Sequence, residues 1–280
     1  MLAALGIILA LSYDRFGIFG LVILIVSLLL SGYLFKFYIG RAHRQMKLLS
    51  ETNAALDRAN QGLIEILAAV IDARDMYVYG HSIQVTAYAV AIADEMELSR
   101  EEQEMIRKAS LLHDIGKLGI SEEILSKPGA VTEDELDILR QHPSIGAEIL
   151  GQMEELKELA AIVASHHEFY NGQGYPHRKK GEEIPLGGRI LCVADALDAM
   201  LSDRPYKAGV SLDQALEEIK RNAGVQFDPQ VVETLLRVAG KVGKDFFKNS
   251  AEMVESALTG QAPSKRVLFR PKGISMFVDR

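Results

Sequence analysis

Residues Leu112 to Lys117 read Leu-His-Asp-Ile-Gly-Lys, an imidazole and a carboxylate side by side with a primary amine close behind. Adjacent residues of a helix point about 100° apart, so His113 and Asp114 could grip one metal from two sides. Lys117, four residues after His113, would share its face. The chemistry implied is a metal site with a cation beside it for phosphate. Taken alone, the pair reads more readily as a buried histidine next to a surface aspartate at a helix end, so the other histidines decide.

Six of the seven histidines fall between residues 64 and 239. His81 follows Gly80, His142 precedes Pro143, and the doublet His166-His167 leads into a glycine-rich stretch, so with His113 five of them sit at helix ends or beside turns. Asp195 lies in Val193-Ala194-Asp195-Ala196-Leu197-Asp198-Ala199, an apolar helical pattern where a bare carboxylate is costly and calls for a metal or a cation. Imidazole nitrogen mixed with carboxylate oxygen suits iron, manganese or zinc. Five histidines and two aspartates exceed the four ligands of a tetrahedral zinc, which favours two metals bridged by a carboxylate. Two such metals roughly 3.5 to 4 Å apart hold a bridging hydroxide and stabilise both the attacking and the leaving oxygen of an in-line phosphoryl displacement. Hydrolysis of a phosphate ester is the expected reaction class.

The elements that must position these groups read as helices. Apolar residues recur at spacings of three and four through Val85–Met96 and Met105–Leu112, and Thr132 with Glu135 and Ser211 with Gln214 form capping-box patterns. Strand-like alternation is scarce between Ile64 and Ala239, so the expected class is all-α. Loops are marked by Lys127-Pro128-Gly129, by Asn171-Gly172-Gln173-Gly174-Tyr175-Pro176 and by Ile184-Pro185. Cys192 is the sole cysteine, which excludes an intramolecular disulfide; it reads as a small core residue. The net charge of −7 argues against a binder of nucleic-acid polymers through a broad basic surface.

Phe16 to Phe35 is a run of 20 residues without a charge. At about 1.5 Å per residue it matches a hydrocarbon core of about 30 Å. Lys36, Arg41, Arg44 and Lys47 follow with no acid before Glu51, so the positive-inside bias places everything downstream in the cytoplasm. Residues 1–12 are apolar but short, and read either as the first arm of a helical hairpin or as the remnant of a longer sensory region. From Ile39 a heptad places Ile39, Met46, Asn53, Asn60 and Leu67 on one seam position and Ala42, Leu49, Leu56, Leu63 and Val70 on the other. This reads as a two-stranded coiled coil with register-fixing asparagines, or as a lone amphipathic helix lying on the next domain; a parallel homodimer is the working expectation. The segments expected are a membrane piece 1–38, a helical linker 39–63, a catalytic domain 64–240 and a tail 241–280, in which 265–272 is basic and apolar.

His113-Asp114-Ile115-Gly116-Lys117, His166-His167-Glu168, Asn171 to Pro176 and Asp203-Arg204-Pro205-Tyr206-Lys207 occur in the order found in one family. Over about residues 64–236 the chain resembles the HD-GYP family, bacterial phosphodiesterases of cyclic di-GMP within the HD metal-hydrolase superfamily. The resemblance implies an HD helical bundle with two or three metals, usually iron or manganese, that opens cyclic di-GMP to pGpG and often on to GMP; with the apolar run 16–35, the expected location is a bacterial inner membrane. It implies one metal on His81, His113, Asp114 and Asp195, and a second on His142, His166 and His167, with Asp114 bridging. Lys117 resembles the lysine that touches the scissile phosphate, Arg204 and Lys207 the cations that grip the substrate phosphates, and Tyr175 the loop tyrosine that contacts the ligand. Three-metal members carry a glutamate four residues before the first histidine. That position is Tyr77 here, and a phenol with a pKa of about 10 is a poor ligand at neutral pH, so a binuclear site is expected. Val78 and Asn171 stand where many members have threonine and aspartate; neither removes a metal ligand, but Asn171 bears on the loop's hydrogen bonds. Glu168 and Asp198 could orient ligands from outside or form surface ion pairs, Phe227 reads as core, Asp228 as a cap, and His43 and His177 as solvent-facing. Two other readings are a catalytically weak receptor of the cyclic dinucleotide and an HD hydrolase of another nucleotide.

Overall fold

The computed structural model describes residues 2–74, 80–127, 129–203, 208–243 and 246–247. Ten α-helices and no strand are found among them, in line with the all-α expectation. Two compact units divide the chain at Gln61 and Gly62, inside the first helix.

Helix α1 (Leu2–Arg74) is interrupted at Gly17, whose φ of 66° and ψ of −164° are not helical. A non-glycine residue would be strained at this positive φ, so the helical run that contains most of residues 16–35 begins just past Phe16. That apolar run is long enough to cross a membrane, and none of its most apolar window is buried. The heptad residues Met46, Leu49, Leu56 and Leu63 are likewise exposed.

In the second unit α2 (His81–Glu95) and α3 (Arg100–Leu112) follow the end of α1. Helix α2 is buried from His81 through Ala93 on nearly every face, because alanines at positions 87, 89, 91 and 93 let neighbours approach from all sides. It packs on α3 and on α8 (Leu186–Leu201), and a Ser99–Glu102 capping box starts α3. The short helices α4 (Glu122–Leu125) and α5 (Glu133–Leu139) precede α6 (His142–Leu150) and α7 (Lys157–Val163). Then come α8 (Leu186–Leu201), α9 (Leu212–Arg221) and α10 (Pro229–Val242). Both expected capping boxes form, Thr132 with Glu135 before α5 and Ser211 with Gln214 before α9. Asp228 caps α10 through the Gln230 N–H, and its other oxygen pairs with Arg189 at 2.5 Å. Phe227 and Cys192 lie in the core, while His43 and His177 are exposed, as expected. Phe246 and Phe247 return onto Tyr88 of α2, with ring centroids 6.2 and 5.4 Å away.

Candidate metal centre

The stretch around His113 departs from the helical geometry expected of it. Helix α3 stops at Leu112, His113 is its C-cap, and residues Ile115–Gly119 continue as a 3-10 turn. Lys117 therefore shares no helix face with His113. Its ammonium instead lies 2.8 Å from Asp114 Oδ2. The turn tightens because the Lys117 N–H reaches back three residues to the Asp114 carbonyl at 2.9 Å, and Gly116 lets it press against α6.

Four histidines are oriented by the same device. Nδ1 lies 2.7 Å from the Ser110 carbonyl for His113, 2.8 Å from Leu139 for His142 and 2.6 Å from Val163 for His166. For His81 the partner is Asp198 Oδ2, at 2.7 Å. A carbonyl or carboxylate oxygen only accepts, so Nδ1 carries a proton and Nε2 is the candidate ligand atom turned inward. The i−3 carbonyl that each of the first three uses is left over at a helix end, which is why these histidines occur there.

The Nε2 atoms then meet in pairs. His81 and His113 are 3.3 Å apart, and His142 and His166 are 3.1 Å apart. Two nitrogens each about 2.1 Å from one ion, at octahedral to tetrahedral angles, would be about 3.0 to 3.4 Å apart. Asp114 stands between the pairs. Its Oδ2 is 3.5 Å from His113 Nε2 and 3.9 Å from His81 Nε2, and its Oδ1 is 3.4 Å from His142 Nε2. Asp195 Oδ1 adds a further oxygen 3.3 Å from His81 Nε2, and the His167 ring centre is 4.1 Å from that of His166. Two groups able to hold an ion result, His81 with His113 and Asp114, and His142 with His166 and His167. All seven residues selected as candidate ligands are thus brought together, and the donor set fits two divalent metals.

Electrostatics divides the halves. Burial lowers the His142 and His166 pKa values and takes that of His167 down to about 4, so these rings are neutral at pH 7 and could serve as ligands. Burial also works against a charged His81, but hydrogen bonds to Asp195 and Asp198 outweigh it and push that ring up to about 10. Burial alone would raise the Asp114 carboxyl, yet the Lys117 ammonium and then the imidazoles hold it well below the usual carboxylate range. A cation arriving beside His81 must displace a proton, whereas one arriving beside His142 need not. Metal affinity of the His81 half should therefore rise about tenfold per pH unit from pH 7 to 9, with one proton released, and that of the His142 half should stay flat over the same range. Titration calorimetry in buffers of different ionisation enthalpy reads the proton count directly.

Asp195 and Asp198, three apart on α8, flank His81 from its two nitrogens. Asp198 is fully buried and holds the His81 ring, a candidate ligand, rather than forming a surface ion pair. Asp198→Asn should weaken metal binding about 10- to 100-fold with the fold retained, measured by competition with a chelator.

Glu168 does something the sequence did not suggest. It is buried, and its two oxygens accept the backbone N–H groups of His177 (2.6 Å) and Lys179 (3.0 Å), clasping the glycine-rich loop rather than a ligating imidazole. Within that loop the Tyr175 N–H donates to the His167 carbonyl at 3.1 Å, and the Tyr175 ring lies on the His167 ring with centroids 4.9 Å apart. Burial, then the charges of Asp195 and Asp114, raise the Tyr175 phenol, which stays protonated and able to donate. The side-chain oxygen of Asn171 accepts from the Gln173 N–H at 2.9 Å, so the amide closes its own turn. A Cβ on Gly174 would come within 2.1 Å of the Phe169 nitrogen, and this close approach went unread in the motif. Arg204 and Lys207, the expected phosphate cations, lie outside the described residues, as do Tyr77, Val78 and the stretch 265–272.

Among known proteins, the cyclic di-GMP phosphodiesterase response regulator RpfG of Xanthomonas campestris is 40% identical over 195 residues, which are 69% of this chain and 51% of that protein. A cyclic di-GMP phosphodiesterase of Thermotoga maritima is 41% identical over 182 residues, 64% of this chain and 50% of the relative. The 3'3'-cGAMP-specific phosphodiesterase 3 of Vibrio cholerae is 37% identical over 173 residues, 62% of this chain and 38% of the relative. The chain thus spans about half or less of the length of these curated relatives. A family model described as the HD domain matches residues 64–231, a span that contains all seven candidate ligands. By that match, and with its His113-Asp114 pair at the junction of two candidate ion positions, the chain belongs to the HD domain family.

Proposed function

We propose that this chain is a metal-dependent phosphodiesterase of cyclic di-GMP. The observation that carries the reading is Asp114, whose two oxygens face two separate histidine groups while Lys117 stands against one of them. His81, His113, Asp114 and Asp195 would hold one metal and His142, His166 and His167 the other; the donor types suit iron, manganese or zinc, and the family resemblance favours iron or manganese. When bound, two such metals supply an activated water and offset the charge of the phosphate. Lys117 lies where a cation can meet the scissile phosphate as its charge develops. Tyr175, beside His167, offers a phenol to the ligand, and Arg204 and Lys207 would grip the remaining phosphates.

Anaerobic purification with iron or manganese, followed by product analysis on cyclic di-GMP, tests this. Linear pGpG, or GMP, is the expected product, and a metal-loaded protein that leaves the substrate intact would sink the proposal. Tight binding without turnover would favour a receptor instead. A second substrate, 3'3'-cGAMP, is supported by the Vibrio cholerae relative and belongs in the same assay.

The apolar run within 16–35 would anchor the enzyme in the bacterial inner membrane, with the catalytic domain 64–240 in the cytoplasm. The exposed seam of Met46, Leu49, Leu56 and Leu63 supports a homodimer through the linker 39–63. Cross-linking between cysteines placed at position 56 in two copies should give dimers, and at position 58 far fewer.

A further inference from the structure

The last turn of α1 belongs to the same compact unit as the candidate metal centre and bonds to two segments that carry its residues. Asp72 is buried, and its Oδ1 accepts the Ser82 hydroxyl at 2.6 Å while Oδ2 accepts the Ser82 N–H at 3.2 Å. Ser82 is the second residue of α2, directly after the candidate ligand His81. The residue before that helix, Gly80, has no side chain to cap it. A carboxylate from another helix therefore takes the free N–H at the start of α2 and meets the positive end of its dipole.

Two residues on, Arg74 points elsewhere, since positions i and i+2 of a helix lie about 200° apart. Its guanidinium donates to the Leu118 carbonyl at 3.1 Å, with longer contacts of 3.4 Å to the carbonyls of Lys117 and Ile120 and to Glu122 Oε2. These carbonyls belong to the 3-10 turn that carries Lys117 and to the residue that follows it. A planar fork of five donors suits such a fan of carbonyls, and an ammonium does not reproduce it.

We propose that Asp72 and Arg74 are positioning residues, Asp72 setting the seat of His81 and Arg74 setting the turn that aims Lys117. One helical turn then fixes the separation between a metal ligand and the phosphate cation, the two parts that must be in register for an in-line displacement. The inference rests on the phosphodiesterase reading for its kinetic consequence, but the contacts make a separate physical demand. A misplacement of about 1 Å at a reacting group costs up to about 100-fold in rate.

The test uses the full metal-loaded chain, with bis(4-nitrophenyl) phosphate and cyclic di-GMP as substrates. Arg74→Ala should lower kcat about 10- to 100-fold with bound metal unchanged. In a Lys117→Ala background the same change should cost less than about twofold, because the residue it aims is gone. Asp72→Ala should lower metal retention under chelator challenge and Asp72→Asn, which can still accept from Ser82, should restore most of it. A loss on Arg74→Ala that multiplies in full with Lys117→Ala, or Asp72→Ala holding metal as tightly as the parent chain, would overturn the proposal. If neither substrate is turned over by the parent chain, hydrogen exchange decides. Arg74→Ala should then speed exchange at the Lys117 and Ile120 amides while leaving α2 protected, and unchanged exchange there would overturn the Arg74 role independently of the activity.

Discussion

Asp114→Ala is expected to abolish turnover and to remove metal at the same time. The carboxylate reaches both histidine sets, with Oδ2 at 3.5 Å from His113 Nε2 and Oδ1 at 3.4 Å from His142 Nε2. Without it the two ions lose their shared ligand and their mutual distance, and a two-metal displacement depends on that distance. A fall in kcat of about 10³-fold or more is expected, since activation of the nucleophile and charge stabilisation fail together. Metal analysis should show substoichiometric binding even under iron or manganese excess. The fold should survive, because Lys117, the cation left behind, is about one-fifth exposed and can turn to water. Asp114→Asn separates charge from shape: it keeps the volume and one acceptor oxygen but cannot offer an anionic oxygen to each metal. Its activity should match that of the alanine variant. Activity retained in either variant, with two metals still bound, would refute the bridging role.

How far the site could be read from the sequence depended on the kind of interaction. Metal ligands announce themselves by residue type, so five histidines at helix ends and Asp195 in an apolar helix were visible without knowing how the helices pack. The all-α class followed from spacing, and the caps at Thr132 and Ser211 followed from local chemistry that needs four residues only. Local geometry was less legible. Reading Leu112 to Lys117 as continuous helix put Lys117 on the face of His113, whereas the helix ends at Leu112 and a 3-10 turn delivers the ammonium to Asp114. Nothing in that stretch signals the turn except Gly116, whose reason is a neighbour about 30 residues away. Glu168 was misjudged for a similar cause. A carboxylate after a histidine doublet suggests an imidazole partner, but its partners are N–H groups of a loop that folds back over it. Asp72 and Arg74 were passed over because their partners, Ser82 and the carbonyls of residues 117 to 120, carry no sequence pattern that points back to them. Side chains that bond to backbone across the fold, as Glu168 and Arg74 do, are the least legible class.

Gly116→Ala should be the most damaging change that touches no ligand. A Cβ built there would lie 1.8 Å from the His142 carbonyl oxygen, 2.6 Å from the Gly146 nitrogen and 2.8 Å from the His142 carbonyl carbon. All three are backbone atoms of α6, so no side chain can swing aside. Relief requires the Asp114–Lys117 turn and α6 to separate by more than 1 Å. That movement opens the contact between Asp114 Oδ1 and His142 Nε2, which joins the two halves of the centre. The expected cost is about 3 kcal/mol or more in stability, at the upper end of overpacking penalties because the obstacle is main chain. In the fraction that folds, loss of the second metal and a fall in kcat of at least about 100-fold are expected. Gly240→Ala provides the comparison. It lies exposed in α10 with nothing within 4 Å of an added Cβ, and should be neutral or gain up to about 1 kcal/mol from helix propensity. Denaturant titration of the two variants beside the parent chain, with metal content measured on each, distinguishes a general intolerance of glycine replacement from the close approach argued here. If Gly116→Ala unfolds at the parent's midpoint with both metals in place, the contact between the turn and α6 is not what sets the position of His142.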